Sequence, residues 1–222
     1  MVNDDVHEIY DRRIAQTTKL LENAISYILP KSHAMNGAVD GEQEIMILDP
    51  LRALRTQVIT LNPSVADLVA SAQKLQDGSA VALIASDNFG CGKVVADTRT
   101  IAPSAEQQKD DQYVLQNADI SLTISAGRIT SLRDQHLERE LILPGPGAET
   151  AGLMIYDDLP LAYDAWDAEI YHLDQVTPLL FETVEVVANG PLRASLKTTS
   201  KFGASTITLV VSRLSLRCLH HP

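Results

Sequence analysis

The strongest constraint in this sequence is a series of short β-type runs separated by turn residues. They are 44–48, 57–61, 80–85, 113–116, 120–124, 129–132, 153–156, 183–188, 192–198 and 206–211. Most are rich in β-branched or aromatic residues, with Gly, Pro, Asn, Asp or Ser near their ends. Asn117-Ala118-Asp119, Ala126-Gly127-Arg128 and Asn189-Gly190-Pro191 read as turns, the last as a hairpin between two runs. Runs this short and this closely spaced predict an antiparallel sandwich or barrel. Residues 64–76 fit a helical turn or a strand equally well, and Pro144-Gly145-Pro146-Gly147 marks a loop.

The first thirty residues differ. Val6, Tyr10, Ile14, Thr17, Leu21, Ile25 and Ile28 recur at three- and four-residue steps, the stripe of one long amphipathic helix. Asp4 or Asp5 is the expected N-cap, with Pro30 closing the element. No other segment is an equally good helix, so the stripe calls for a partner surface. Two regions follow: 1–44, a helix and a Gly/Asn/Asp-rich connection, and 45–222, the β-rich part. At the far end the inward phase set by Ile207, Leu209 and Val211 flips after Arg213 to Leu214 and Leu216. Either a β-bulge or the end of the strand explains this.

Charge removes several function classes. Eighteen basic against twenty-nine acidic residues give a net charge of -11, which argues against nucleic acid and an anionic membrane surface as partners. Two cysteines, Cys91 and Cys218, exclude a disulfide scaffold. No run approaches the roughly 18 apolar residues of a membrane span, and Met1 to Asp5 lack the features of a secretory signal. The expected location is cytoplasmic, or vacuolar by a signal-independent route. Self-association into a homo-oligomer stays open.

Chemistry concentrates between Tyr156 and His172. This stretch holds the single Trp, three of the six Tyr and several Asp. Read as a strand, it places Asp164, Trp166, Ile170 and His172 on one face and Tyr163, Asp167, Glu169 and Tyr171 on the other. Carboxylates beside flat aromatics suit a sugar, whose hydroxyls need charged acceptors while its C–H face lies on a ring. A strand edge with one core Trp and solvated acids fits the same residues. The substrate-cleft candidates are Asp164, Trp166, Asp167, Tyr171 and His172. Asp164, Asp167 and His172 match no strong metal-ligand spacing. Asp157 with Asp158, or Asp164 with Asp167, could be a glycosidase pair, a weak signal because such pairs are common on surfaces. Gly90-Cys91-Gly92-Lys93 fails the phosphate-loop pattern, because Asp87 and Val94 stand at required Gly and Ser/Thr positions, and is expected to be a turn.

Several motifs together resemble glycoside hydrolase family 38, the α-mannosidases. Tyr113-Val114-Leu115-Gln116-Asn117, Gly127-Arg128-Ile129-Thr130-Ser131-Leu132-Arg133-Asp134 and Arg139-Glu140-Leu141-Ile142 look like its β-rich C-terminal part. Asp164-Ala165-Trp166-Asp167 followed by Tyr171-His172-Leu173 is similar to a signature of the cytosolic/vacuolar branch, and Asn189-Gly190-Pro191-Leu192-Arg193-Ala194 fits the same branch. Leu48-Asp49-Pro50-Leu51 resembles the opening of the β region, with Asp49 where the family usually has Asn. The helix resembles part of the middle-domain helical bundle.

The resemblance, over roughly residues 4–211, implies an incomplete galactose-mutarotase-like sandwich preceded by one bundle helix. It implies hydrolysis of terminal α-linked mannose in mannose-containing oligosaccharides. It also implies a zinc site and a carboxylate nucleophile on a domain N-terminal to this segment, so no catalytic residue, metal ligand or cofactor is assigned to this chain. Whether the chain is an enzyme by itself stays open, and the expectation is that it is inactive alone. The rival reading is a stand-alone carbohydrate- or protein-binding sandwich module.

Overall fold

A computed structural model describes residues 2–33, 46–48, 54–61, 63–87, 91–95, 102–109, 111–142, 151–159, 161 and 168–215. It separates into two compact units, 1–44 and 45–222. The first contains helix α1, Val2–His33. It starts before Asp4 and Asp5, which therefore lie in its first turn rather than at the N-cap. It also continues three residues beyond Pro30. Proline forfeits the bond to the carbonyl four residues back. The last turn forms nonetheless, so Pro30 weakens this end without setting it. The apolar stripe is present but solvent-exposed: Tyr10, Ile14 and Leu21 are 64%, 61% and 59% exposed.

The second unit is built from antiparallel sheets. The first holds β1 (Met46–Leu48), β2 (Arg55–Leu61), β3 (Gln73–Lys74), β4 (Ala80–Ser86) and β5 (Cys91–Val94). Its order is β1-β5-β4-β2, with β3 paired to β4. The second runs β10-β9-β8-β7-β6, from β6 (Ser104–Gln107), β7 (Tyr113–Gln116), β8 (Ile120–Ser125), β9 (Arg128–Asp134) and β10 (Arg139–Glu140). A two-stranded ribbon, β11 (Leu153–Tyr156) with β12 (Val176–Leu179), precedes a third sheet of β13 (Thr183–Asn189), β14 (Arg193–Phe202) and β15 (Ser205–Leu214).

The sandwich follows from side-chain alternation. Ala105, Leu115, Leu122 and Ile124 from β6–β8 meet Ala194 and Leu196 of β14, with Phe181 completing the layer. Each fully buried Leu or Ile contributes roughly 1.5–3 kcal/mol relative to exposure. A second cluster joins Leu61, Val69, Ala82 and Ile84, and a third sets Val81 and Leu83 against Leu192. Leu192 belongs to the β13–β14 turn, so this third cluster ties the first sheet to the third.

The predicted turns form for the reasons their residues suggest. Asn117 Oδ1 accepts from the amides of Asp119 and Ile120, at 3.0 and 2.9 Å. Ala126 and Gly127 both have positive φ, 49° and 70°, as a two-residue hairpin requires. At 190–192 the turn is clamped from the first sheet. Gln73 Oε1 accepts from the amides of Leu192 (2.9 Å) and Arg193 (2.8 Å), and its Nε2 donates to the Arg193 carbonyl at 2.7 Å. A Cβ at residue 190 would lie 2.4 Å from the Gln73 carboxamide, so a larger residue there would displace the clamp.

Other expectations change. Residues 64–76 contain both alternatives, a helical turn at Pro63–Ala66 (α2) and the short strand β3. Cys91–Val94 is not a turn but strand β5, paired with β1 and β4. A Cβ on Gly92 would come within 2.7 Å of the Ile84 side chain, so its glycine serves close packing rather than a turn. β15 pairs with β14 without a register shift through Leu214, so there is no bulge at the phase flip. Strict alternation instead puts Arg213 on the face of Leu209 and Val211. The 144–147 loop, Asp49 to Leu51 and the tail after Ser215 lie outside the described residues.

Candidate functional site

The ribbon β11–β12 carries the ends of the acidic and aromatic stretch. Its base is anchored: the Phe181 amide donates to the Gly127 carbonyl at 2.7 Å, and the Phe181 side chain sits in the core. Gly127 has φ 70° and a Cβ there would come 3.0 Å from the Phe181 carbonyl, so this anchor needs glycine. Away from its base the ribbon is open to solvent. Asp157 and Asp158 are exposed, with the Asp157 amide donating to the Gln175 carbonyl at 3.3 Å.

Of the candidate residues, Asp164, Trp166 and Asp167 lie outside the described residues, as do Tyr163 and the intervening Ala165. Tyr171 and His172 are described, and their setting corrects the strand reading. Ile170–Asp174 forms a 3-10 helix rather than a strand. Its bond is local, from the His172 amide to the Glu169 carbonyl at 3.1 Å. At three residues per turn, Tyr171 and His172 point about 120° apart rather than to opposite faces. Tyr171 is 56% exposed.

His172 is the better-held group. Its Nδ1 lies 2.6 Å from the Glu169 carbonyl oxygen. A carbonyl only accepts, which assigns the hydrogen to Nδ1 and leaves Nε2 as the free ring nitrogen. The Tyr156 ring packs edge-on against the imidazole, with centroids 5.4 Å apart and planes at 73°. Tyr156 is not among the cleft candidates read from the sequence; its place at the end of a strand facing a distant turn gives no local signal. The pair joins β11 to the 3-10 helix and fixes one orientation of His172. Around it stand exposed apolar residues, Leu159, Leu161, Ile170 and Leu173, each more than half exposed.

Among the described residues, no group of three or more His, Cys, Asp or Glu side chains is arranged to hold a metal ion. No helix among them is long and apolar enough to cross a membrane.

The geometry defines the class: an antiparallel β-sandwich that carries a two-stranded ribbon, β11–β12. Residues 115–216 match the family model described as glycosyl hydrolases family 38 C-terminal domain. Over this segment, a little under half of its length, the chain is similar to the C-terminal domain of glycoside hydrolase family 38. It is 38% identical to alpha-mannosidase G of Dictyostelium discoideum over 106 residues, covering 44% of this chain and 10% of the relative. It is 37% identical to human alpha-mannosidase 2C1 over 92 residues, covering 40% and 9%. With mouse alpha-mannosidase 2C1 it shares 28% identity over 165 residues, covering 70% and 14%. The matched part of this chain thus spans about a tenth of the length of these relatives.

Proposed function

We propose that this chain is a C-terminal-domain segment of an α-mannosidase, the enzyme class that hydrolyses terminal α-linked mannose from oligosaccharides. The observation that carries this reading is the family match over 115–216, together with relatives that are named alpha-mannosidases. Residues 1–44 are then part of a helical middle domain and 45–222 part of the sandwich. The exposed stripe of α1 supports this, because it offers an apolar face that other helices would cover.

In this reading Asp164, Trp166, Asp167, Tyr171 and His172 form one wall of the mannose-binding cleft. Carboxylates accept the sugar hydroxyls, the indole lies against a C–H face, and His172 Nε2 accepts from a further hydroxyl. The fixed His172 ring supports this role, since a positioned group binds at lower entropic cost than a mobile one. The wall supplies binding groups without a nucleophile or a metal, so the 222 residues alone are catalytically silent. The chain resides in the cytoplasm or in a vacuole.

The test is turnover of an aryl α-mannoside by the purified chain in the presence of zinc. A rate equal to the buffer control is expected. Zinc-dependent release of the aryl group above that control would overturn the assignment of catalysis to residues outside this chain.

A further inference from the structure

A cleft of about 410 Å³ lies on the outer face of the third sheet, roofed by the turn that follows β3. Its floor is Val187, Ala188 and Val210, and its polar groups include Asp77, Arg193, Ser195 and Lys197. The volume falls within the roughly 300–1,000 Å³ range of small-molecule sites. Val187 reaches the floor because β13 carries a register irregularity between Val186 and Ala188, a device that re-aims a side chain.

The polar groups are held in place by neighbours and still have capacity to bond. Asp77 Oδ1 accepts from the Ser79 hydroxyl (2.6 Å) and amide (3.0 Å), leaving Oδ2 open. Those bonds, and more weakly the charge of Arg193, hold the Asp77 carboxyl below the usual carboxylate range. The Arg193 guanidinium donates from Nε to Ser195 (3.2 Å) and from Nη2 to Ser212 (2.9 Å). The two serine hydroxyls bond each other at 2.8 Å. Its Nη1 edge remains for a ligand. The backbone of Arg193 is itself pinned by Gln73.

We propose that this cleft binds a neutral saccharide, with Asp77 accepting from one ring hydroxyl, Arg193 donating to its neighbour, and the aliphatic floor meeting the C–H face. Adjacent hydroxyls each donate and accept, so they require a fixed acceptor beside a fixed donor. Asp77 and Arg193 are such a pair. A simple anion is the rival ligand, drawn by Arg193 and Lys197 and repelled by Asp77. No residue that lines this cleft belongs to the 157–174 wall.

The test is an NMR titration of the whole chain with methyl α-mannoside and, separately, inorganic phosphate. Saturable shifts are expected at the amides of Asp77, Arg193 and Lys197 with the mannoside alone. Asp77→Asn should weaken them about tenfold, the effect of removing one charge-assisted bond. Lys197→Met, at a side chain with no partner among the described residues, should preserve the fold and weaken binding about threefold. Trp166→Ala should leave these shifts intact. Non-saturating shifts, equal binding by Asp77→Asn, or saturation by phosphate would each overturn the proposal. So would mannoside shifts confined to residues 168–174.

Discussion

The sandwich core and the ribbon segment place apolar residues in opposite settings. Leu115, Ile124 and Leu196 are fully buried between two sheets, whereas Leu161 and Ile170 are 75% and 70% exposed. A residue in the first group is explained by its neighbours in this chain. In the second, the described neighbours do not account for it. The contrast separates scaffold from display. Gly127 lies at the junction, where the backbone at the base of the ribbon comes close to the β8–β9 turn.

Substitutions can break this comparison. The largest effect is expected from Leu196→Ala, which empties the centre of the layer between the sheets and should cost about 2–5 kcal/mol in urea unfolding. A cost near zero would mean that the sheets do not share a core. Gly190→Ala drives a methyl group into the Gln73 carboxamide and should cost about 1–3 kcal/mol. Because both changes disable one clamp, Gln73→Ala should cost much less in the Gly190→Ala background than alone. Full additivity would remove the clamp from the account.

Glu140 probes a subtler difference within the scaffold. Its carboxylate accepts from the Ser131 hydroxyl at 2.6 Å and from the Leu132, Leu141 and Ile142 amides at 2.8, 3.1 and 3.1 Å. The Ser131 bond first, then the amides, hold its pKa below the usual glutamate value. A depressed folded-state pKa contributes stability above the unfolded-state value and loses it as pH falls through the folded one. Glu140→Gln should therefore be less stable than the parent at neutral pH, with the gap closing in acid. A gap that widens in acid would have the wrong sign. Tyr171→Ala should change stability by less than about 0.5 kcal/mol. A larger loss would show that the segment packs as scaffold after all.

The scaffold is legible in the sequence wherever a strand alternates or a turn carries its own chemistry. Thr206 to Val211, Asn117 and Asn189-Gly190-Pro191 announce themselves in this way. Strands β3, β6, β10 and β12 do not. They are two to four residues long, and β6 has a single buried apolar residue, Ala105. Pro178 further masks β12, which tolerates it as a strand with one neighbour among the described residues. At the candidate site the residue types are legible, but the geometry is not. The 3-10 turn at 170–174 rests on one local bond and has no periodic signal, and the Tyr156–His172 contact joins residues separated by the whole segment. The Gln73 clamp is likewise invisible, because it acts across 120 positions.

Trp166 is the single tryptophan of the chain, so its fluorescence reports on the proposed mannose wall alone. Titration of the whole chain with mannobiose should give a saturable change in emission that His172→Ala weakens. Emission that stays constant while mannobiose binds elsewhere on the chain would contradict the assignment of this segment to a sugar-binding wall.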